Sequence, residues 1–297
     1  MKIAIMIEGQ NGLTWGIWKE LVPLVEKLGF DGLFRSDHFT NANPPDRDSI
    51  ECWASLGWLA DHTSRLDFGP LVSPVSFRDP VLTARTALAV DELSGGRLVL
   101  GLGAGWQVRE HVMFGYDLLP VRERFDRLEE GLQVITRLLR DPDPVTLSGR
   151  WRTLREAGLL PRPSRPGSPR ILVGGNGPRR TLPLAARYAD EWNAIFLPPA
   201  EFRRLNLSLT AMLEKAGRQP GQVRRSMMTG LKFSRDPRQV KRMLALKHQR
   251  ADDLRSKGSS VGAGREILPQ LDAVEKAGVE RLMLQWLDLA DLEGLEA

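Results

Sequence analysis

Cysteine is almost absent from this 297-residue chain. Cys52 stands alone, which excludes an internal disulfide framework and any cysteine-rich metal site. A single thiol is what a reducing cytoplasm permits, and a cytoplasmic location is the expectation. Histidine is scarce too. His38, His62, His111 and His248 form neither H-x-H nor H-E-x-x-H, so no metal centre is expected. No apolar run approaches the roughly 18 residues that would cross a bilayer, and no membrane partner is expected. Met1 to Glu8 is too short and too soon acidic for a signal peptide and reads as a strand. Charge of one sign is nowhere concentrated. The net charge of +5 comes from arginines scattered along the chain, as in Arg179-Arg180, Arg203-Arg204 and Arg224-Arg225. Without a basic tail or aromatic-interleaved basic motif, no nucleic-acid partner is expected, although a basic surface suits an anionic cofactor. A Gly-x-Ser-x-Gly elbow and a P-loop are also missing.

What is present is alternation. Short apolar runs at Lys2–Glu8, Gly32–Ser36, Leu66–Val72, Leu98–Leu102, Arg170–Val173, Glu191–Ile195, Arg225–Leu231 and Arg281–Gln285 have the length and bounds of strands. Between and after them lie amphipathic stretches at Leu13–Leu28, Ile50–His62, Val81–Leu93, Val121–Leu139, Pro178–Ala189, Pro199–Ala216, Pro237–Lys247 and Ala263–Ala277. Strict βα alternation implies a parallel sheet, and eight repeats favour closure into a (β/α)8 barrel over a doubly wound open sheet. No composition shift marks a second domain, so residues 1–297 are expected to form one, with two insertions. Residues 141–168 are rich in Pro, Gly and Arg and hold a hairpin signal at Val145–Trp151; residues 249–264 are polar and read as a mobile lid or a loose connection.

In such a barrel the loops after the strands carry chemistry. The fifth reads Gly174-Gly175-Asn176-Gly177-Pro178-Arg179-Arg180. Glycines leave amides uncovered, proline suits the first turn of a helix and two arginines add positive charge, together the makings of a phosphate site. A tight strand-to-helix turn with surface arginines would read the same way. The fourth loop carries Gly101, Gly103 and Gly105 before Trp106. It fails G-x-G-x-x-G, which disfavours a dinucleotide site; the glycines mark either a crowded strand end or backbone approaching a flat ligand. The second strand ends in Ser36-Asp37-His38-Phe39. Its position makes His38 a proton-transfer candidate, with Asp37 orienting the imidazole or meeting a ligand. Glu110, Trp106, Trp15, Trp53 and Trp192 are weaker candidates, since a helix start or a core explains each.

Together these stretches resemble the luciferase-like monooxygenase superfamily of flavin- and deazaflavin-dependent enzymes. The likeness also covers Phe77-Arg78-Asp79-Pro80, Leu93 to Arg97, Phe114-Gly115, Arg122 to Phe125, Pro169 to Gly177 and Ala189 to Asn193, up to about residue 200. It implies a (β/α)8 barrel with the ring at the C-terminal ends of the strands and its phosphate tail at Gly174, Gly175, Asn176 and Gly177. It also implies Asp37 beside the ring, His38 as acid/base or charge stabiliser, and cofactor contacts from Ser73, Ala104, Gly105 and Arg109. A non-proline cis peptide behind the ring would fall at Pro70–Leu71. Ser-Asp-His-Phe is similar to the branch that uses coenzyme F-420, a deazaflavin, for hydride transfer with a small-molecule substrate. FMN, with oxygen and a reductase partner, is the alternative, and a non-catalytic flavin-binding protein a further one. Trp106 occupies the place where the branch's sugar-phosphate dehydrogenases carry a catalytic Glu. The resemblance also implies a homodimer.

Overall fold

The computed structural model describes residues 1–296. In chain order its elements are β1 (Lys2–Ile7), α1 (Trp15–Lys27), β2 (Gly32–Arg35), α2 (Cys52–His62), β3 (Asp67–Pro70), β4 (Ser73–Pro74), α3 (Pro80–Leu93), β5 (Val99–Gly103), α4 (Val108–Phe114) and α5 (Val121–Arg140). There follow β6 (Val145–Ser148), β7 (Thr153–Ala157), β8 (Arg170–Gly174), α6 (Thr181–Tyr188), β9 (Glu191–Ile195), α7 (Pro199–Lys215), β10 (Arg224–Ser234), α8 (Pro237–Leu246), α9 (Ala251–Ser256), β11 (Ser260–Ala263), α10 (Leu268–Lys276), β12 (Arg281–Trp286) and α11 (Leu292–Glu296). Helix starts follow local chemistry. Thr14, Glu51, Asp79 and Asp236 each accept a backbone amide at the head of the helix that follows, and proline opens α3, α7 and α8.

One sheet of ten strands curls through the order β3-β2-β1-β12-β10-β9-β8-β5-β4, with β11 added to β10. Its pairings are parallel, and a Phe68–Leu98 bridge brings β3 against β5 to close the ring. All eight expected strands are staves of this barrel. Ala4, Met6, Phe34, Val99, Leu172 and Met283 point inward and fill it; Ile5, Ile7 and Leu33 point outward beneath the helices. The alternation along each strand divides the two cores.

Several boundaries differ from the sequence reading. The third strand is broken into β3 and β4 by a non-proline cis peptide at Leu71–Val72, not at Pro70–Leu71. β5 has to slide under this break. A Cβ on Gly69 would lie 1.9 Å from the Val99 carbonyl oxygen, and one on Gly101 would lie 2.1 Å from that of Pro70. Crowding therefore accounts for Gly101. Gly101→Ala is expected to cost at least about 1–3 kcal/mol, as for other overpacked cores, read as a lowered urea midpoint. Residues 249–264 are no loose connection: they form α9 and β11, and β11 pairs with the outer end of β10. The 141–168 insertion does hold a hairpin, but β6 and β7 extend it to Ala157; the Glu130 carboxylate on α5 pins it through the amides of Arg150, Trp151 and Arg152. No helix among the described residues is long and apolar enough to cross a membrane.

The N-terminal ends of the strands are closed by charge. Asp67 at the start of β3 meets Arg170 at 2.6 Å and is hydrogen-bonded to the fully buried Arg281. Arg224 and Glu191 complete the cluster, with Glu191 lying 3.6 Å from both Arg224 and Arg281.

Candidate functional site

The opposite end of the barrel holds a cavity of about 750 Å³. Leu71 and Val72, projecting from the break between β3 and β4, form part of its apolar wall. His38 lines it just beyond β2. Glu110, in the first turn of α4 and 1% exposed, holds His38 Nδ1 at 2.8 Å through one oxygen and accepts the Phe39 amide at 3.1 Å through the other. Both lone-pair sets of the carboxylate are thus directed at the segment that carries the histidine. Burial alone would lower the His38 pKa. Its hydrogen bond and charge contact with Glu110, helped by Glu8 and Asp37, outweigh burial and raise it above the ordinary 6.5. Nδ1 is occupied by Glu110, so Nε2 is the nitrogen left to face a reactant. The indole of Trp106 stands edge-on to the imidazole, with centroids 5.8 Å apart.

Glu8 enters from the end of β1. Its two oxygens accept from the side-chain amides of Gln10 and Gln285, each at 2.8 Å. Gln10 also accepts from Ser36 Oγ at 2.6 Å. This amide–carboxylate group fixes the cavity wall beside His38.

Another part of the cavity is built by the loop after β8. Gly175 has φ +127°, a conformation that L side chains rarely adopt. The Trp192 indole donates to its carbonyl at 2.9 Å. Asn176 clasps the end of β9, donating to the Ile195 carbonyl at 2.7 Å and accepting its amide at 2.8 Å. The next helix begins at Thr181, not at Pro178 as expected, because residues 178–180 form a turn. The amides of Gly177, Arg179 and Thr181 have no acceptor among the described residues, which leaves them available to an oxyanion. Arg180 is drawn to Asp126 at 3.0 Å, while Arg124 on α5 lines the cavity and donates to the Gly105 carbonyl at 2.9 Å. The Arg124 Nε is buried without a partner. A loop with free amides, a guanidinium beside the cavity and an apolar wall are the groups that an anionic tail and a flat ring require.

Of the residues named from sequence, His38, Ala104, Gly105, Gly174, Gly175, Asn176 and Gly177 line this cavity. Asp37, Ser73 and Arg109 do not. Asp37 is 4% exposed and locked by Arg78, which donates to its two oxygens at 2.9 and 2.6 Å, and by Ser73 Oγ at 2.7 Å. This buried clamp ties β2 to β4 behind the histidine and leaves Asp37 few free lone pairs for a ligand. Arg109 points away on α4, paired with Asp46 at 2.6 Å. Trp53 and Trp192 belong to the core, and Trp15 is exposed away from the cavity. Sequence reasoning passed over Glu8, Arg124 and Gln285 as site residues. Glu8 and Gln285 stand at strand ends and were legible by position, whereas a helix pattern does not tell which arginine of α5 faces inward. No group of three or more His, Cys, Asp or Glu among the described residues is placed to hold a metal ion.

The family model for luciferase-like monooxygenase matches residues 1–288. The chain belongs to that family. It is 29% identical over 224 residues to an F420-dependent glucose-6-phosphate dehydrogenase of Kineococcus radiotolerans, covering 72% of this chain and 63% of that one. It is 32% identical over 197 residues to a 5,10-methylenetetrahydromethanopterin reductase of Archaeoglobus fulgidus, covering 66% and 54%. The chain thus spans about half to two thirds of the length of the curated relatives it matches. Among solved structures, an F420-dependent secondary alcohol dehydrogenase in complex with an F420-acetone adduct superposes with a TM-score of 0.84 at 19% identity, covering 96% of this chain and 92% of that one. The family shares this barrel.

Proposed function

We propose that this protein is an oxidoreductase that uses coenzyme F-420 to move a hydride to or from a small organic substrate. The observation that carries the reading is the buried His38–Glu110 pair, which opens on the same cavity as the Gly174–Gly177 loop and Arg124. The F420-dependent relatives in its family support it. When bound, the deazaflavin supplies a carbon that accepts or gives a hydride. The amides of Gly177, Arg179 and Thr181, with Arg124, would hold the anionic tail, while Leu71, Val72 and Ala104 offer the ring an apolar wall. His38 moves the proton. Glu110 stabilises the imidazolium, so near neutral pH a larger fraction of His38 is protonated than of free imidazole. That poises Nε2 to donate to an oxygen as a carbonyl group is reduced and, in the reverse direction, to receive the proton of an alcohol. The apolar walls keep water from competing for that proton.

Titrating the protein separately with oxidised F-420 and with FMN, and following cofactor fluorescence, tests the reading. Saturable F-420 binding is expected. Arg124→Ala should weaken it about 10- to 100-fold, the loss of a charge-assisted hydrogen bond. Micromolar binding of FMN with none of F-420 would overturn the proposal.

A further inference from the structure

The cavity's charges are unevenly shared. Glu8 and Glu110, both carboxylates, line the cavity that His38 also lines. Arg124 is the only Lys or Arg among the described residues that line the cavity, and the anionic tail of F-420 calls on it. A phosphorylated substrate reaching His38 would find no guanidinium or ammonium of its own there. It would bring negative charge toward two carboxylates in surroundings of low dielectric, where like-charge repulsion is costly.

The rest of the entrance is apolar and displayed. Trp106 is 62% exposed and Val121 61% exposed, although both line the cavity, and Phe125 and Ala42 join them. Phe196 just beyond β9 also lines it. Phe196 has φ +49°, in the left-handed region, and its amide is tied to the Met228 carbonyl at 2.9 Å. An aromatic residue held there is strained, and such outliers persist where the surrounding structure holds them in place. An indole and a phenyl ring kept half in solvent at the mouth of a reactive cavity are surfaces awaiting an apolar partner.

We infer that the substrate is an uncharged, mainly apolar ketone or aldehyde, or the alcohol it forms, with its hydrocarbon body against Trp106, Val121, Phe125 and Phe196 and its oxygen at His38 Nε2. This rests on the F-420 reading of the same site. In the reducing direction the carbonyl carbon gains a hydride from reduced deazaflavin, the C=O π pair moves to oxygen, and His38 supplies the proton. One alcohol and one oxidised deazaflavin result, so two electrons and one proton are balanced. To a sugar phosphate, the substrate class named for several relatives, the same surfaces offer no Lys or Arg besides Arg124 among the described residues.

The experiment is binding to the full chain, first of F-420 and then, with F-420 present, of 2-octanone, cyclohexanol and glucose 6-phosphate, read by tryptophan fluorescence and melting temperature. The two neutral probes are expected to saturate the fluorescence change and raise the melting temperature, and glucose 6-phosphate to do neither. Trp106→Ala and Phe196→Ala should each weaken 2-octanone binding about tenfold, near 1.4 kcal/mol, without altering the affinity for F-420. Saturable binding of glucose 6-phosphate, no response to either neutral probe, or an unchanged 2-octanone affinity in both variants would overturn the inference while leaving the cofactor reading in place. Failure of F-420 itself to bind would remove both.

Discussion

Glu110→Gln is expected to lower turnover with F-420 by about 100-fold or more, while the protein stays folded. Glutamine is nearly isosteric and can still accept the Phe39 amide, so the fold around α4 should hold. What is lost is the charge 2.8 Å from His38 Nδ1. General acid–base catalysis by a positioned histidine contributes on the order of 10²–10⁴-fold, and an imidazolium without its counterion is a poorly placed acid. The pH dependence gives the more specific reading. Burial lowers the His38 pKa, and Glu110 is the leading influence that raises it above 6.5. In the wild type the alkaline limb of kcat/KM should therefore lie above pH 6.5, and in the variant it should move to lower pH. Linkage fixes the sign for stability as well. A histidine whose pKa is raised on folding contributes stability that is fully present below its unfolded value and fades as pH rises through the folded one. The melting temperatures of variant and wild type should thus differ most below about pH 6.5 and converge at alkaline pH. An alkaline limb that does not move would remove Glu110 from the proton-transfer role.

Asp67→Asn is expected to be the most destabilising conservative change in the barrel. Asp67 neutralises Arg170 and the fully buried Arg281 at the closed end, far from the cavity. Removing one member of a buried ion pair costs about 3–5 kcal/mol, because the remaining charge stays desolvated. With Arg281 Nε and Nη1 already lacking hydrogen-bond partners, little is available to compensate. A fall in melting temperature of roughly 5–8 °C should follow. Burial raises the Asp67 pKa, but its hydrogen bond to Arg170 and the charge of Arg281 bring it below the usual 3.8. Its contribution is therefore complete above about pH 3.8 and lost as pH falls through the lowered value, so the gap between variant and wild type should narrow in acid. A gap that is constant with pH would mean that the loss comes from packing and not from charge. F-420 affinity of the folded variant should match the wild type, since the cluster lies at the other end of the strands.

How much of this was legible beforehand varies from residue to residue. The eight staves and their order could be read directly, because strand length, apolar content and turn residues are local properties. That His38 and the Gly174–Gly177 loop meet at one cavity was legible for a related reason: a strand's C-terminal end is known once the strand is known, and those ends share one face of a barrel. Asp37 shows where that reasoning stops. It adjoins His38 in the chain, yet successive residues leave a strand in opposite directions, and Asp37 turns into the clamp of Arg78 and Ser73. Arg109 likewise follows the fourth strand closely in sequence, yet in α4 it turns to Asp46.

Local pattern alone therefore determined the alternation, the direction of the strands and the place of the fifth loop's glycines at a strand's C-terminal end. Periodicity and glycine chemistry act over a few residues and need no partner to be recognised. Only the tertiary structure decided that Glu110 reaches His38 across 72 positions of chain, that Arg124 of α5 lines the cavity, and that the cis bond sits at Leu71–Val72. Those choices depend on which strand ends become neighbours when β3 closes against β5. That is settled by packing backbone against backbone at Gly69 and Gly101, where no side chain would fit. The glycine loop at Gly174–Gly177 is a property of the sequence; the contact of His38 with Glu110 at the same cavity is a property of the closed barrel.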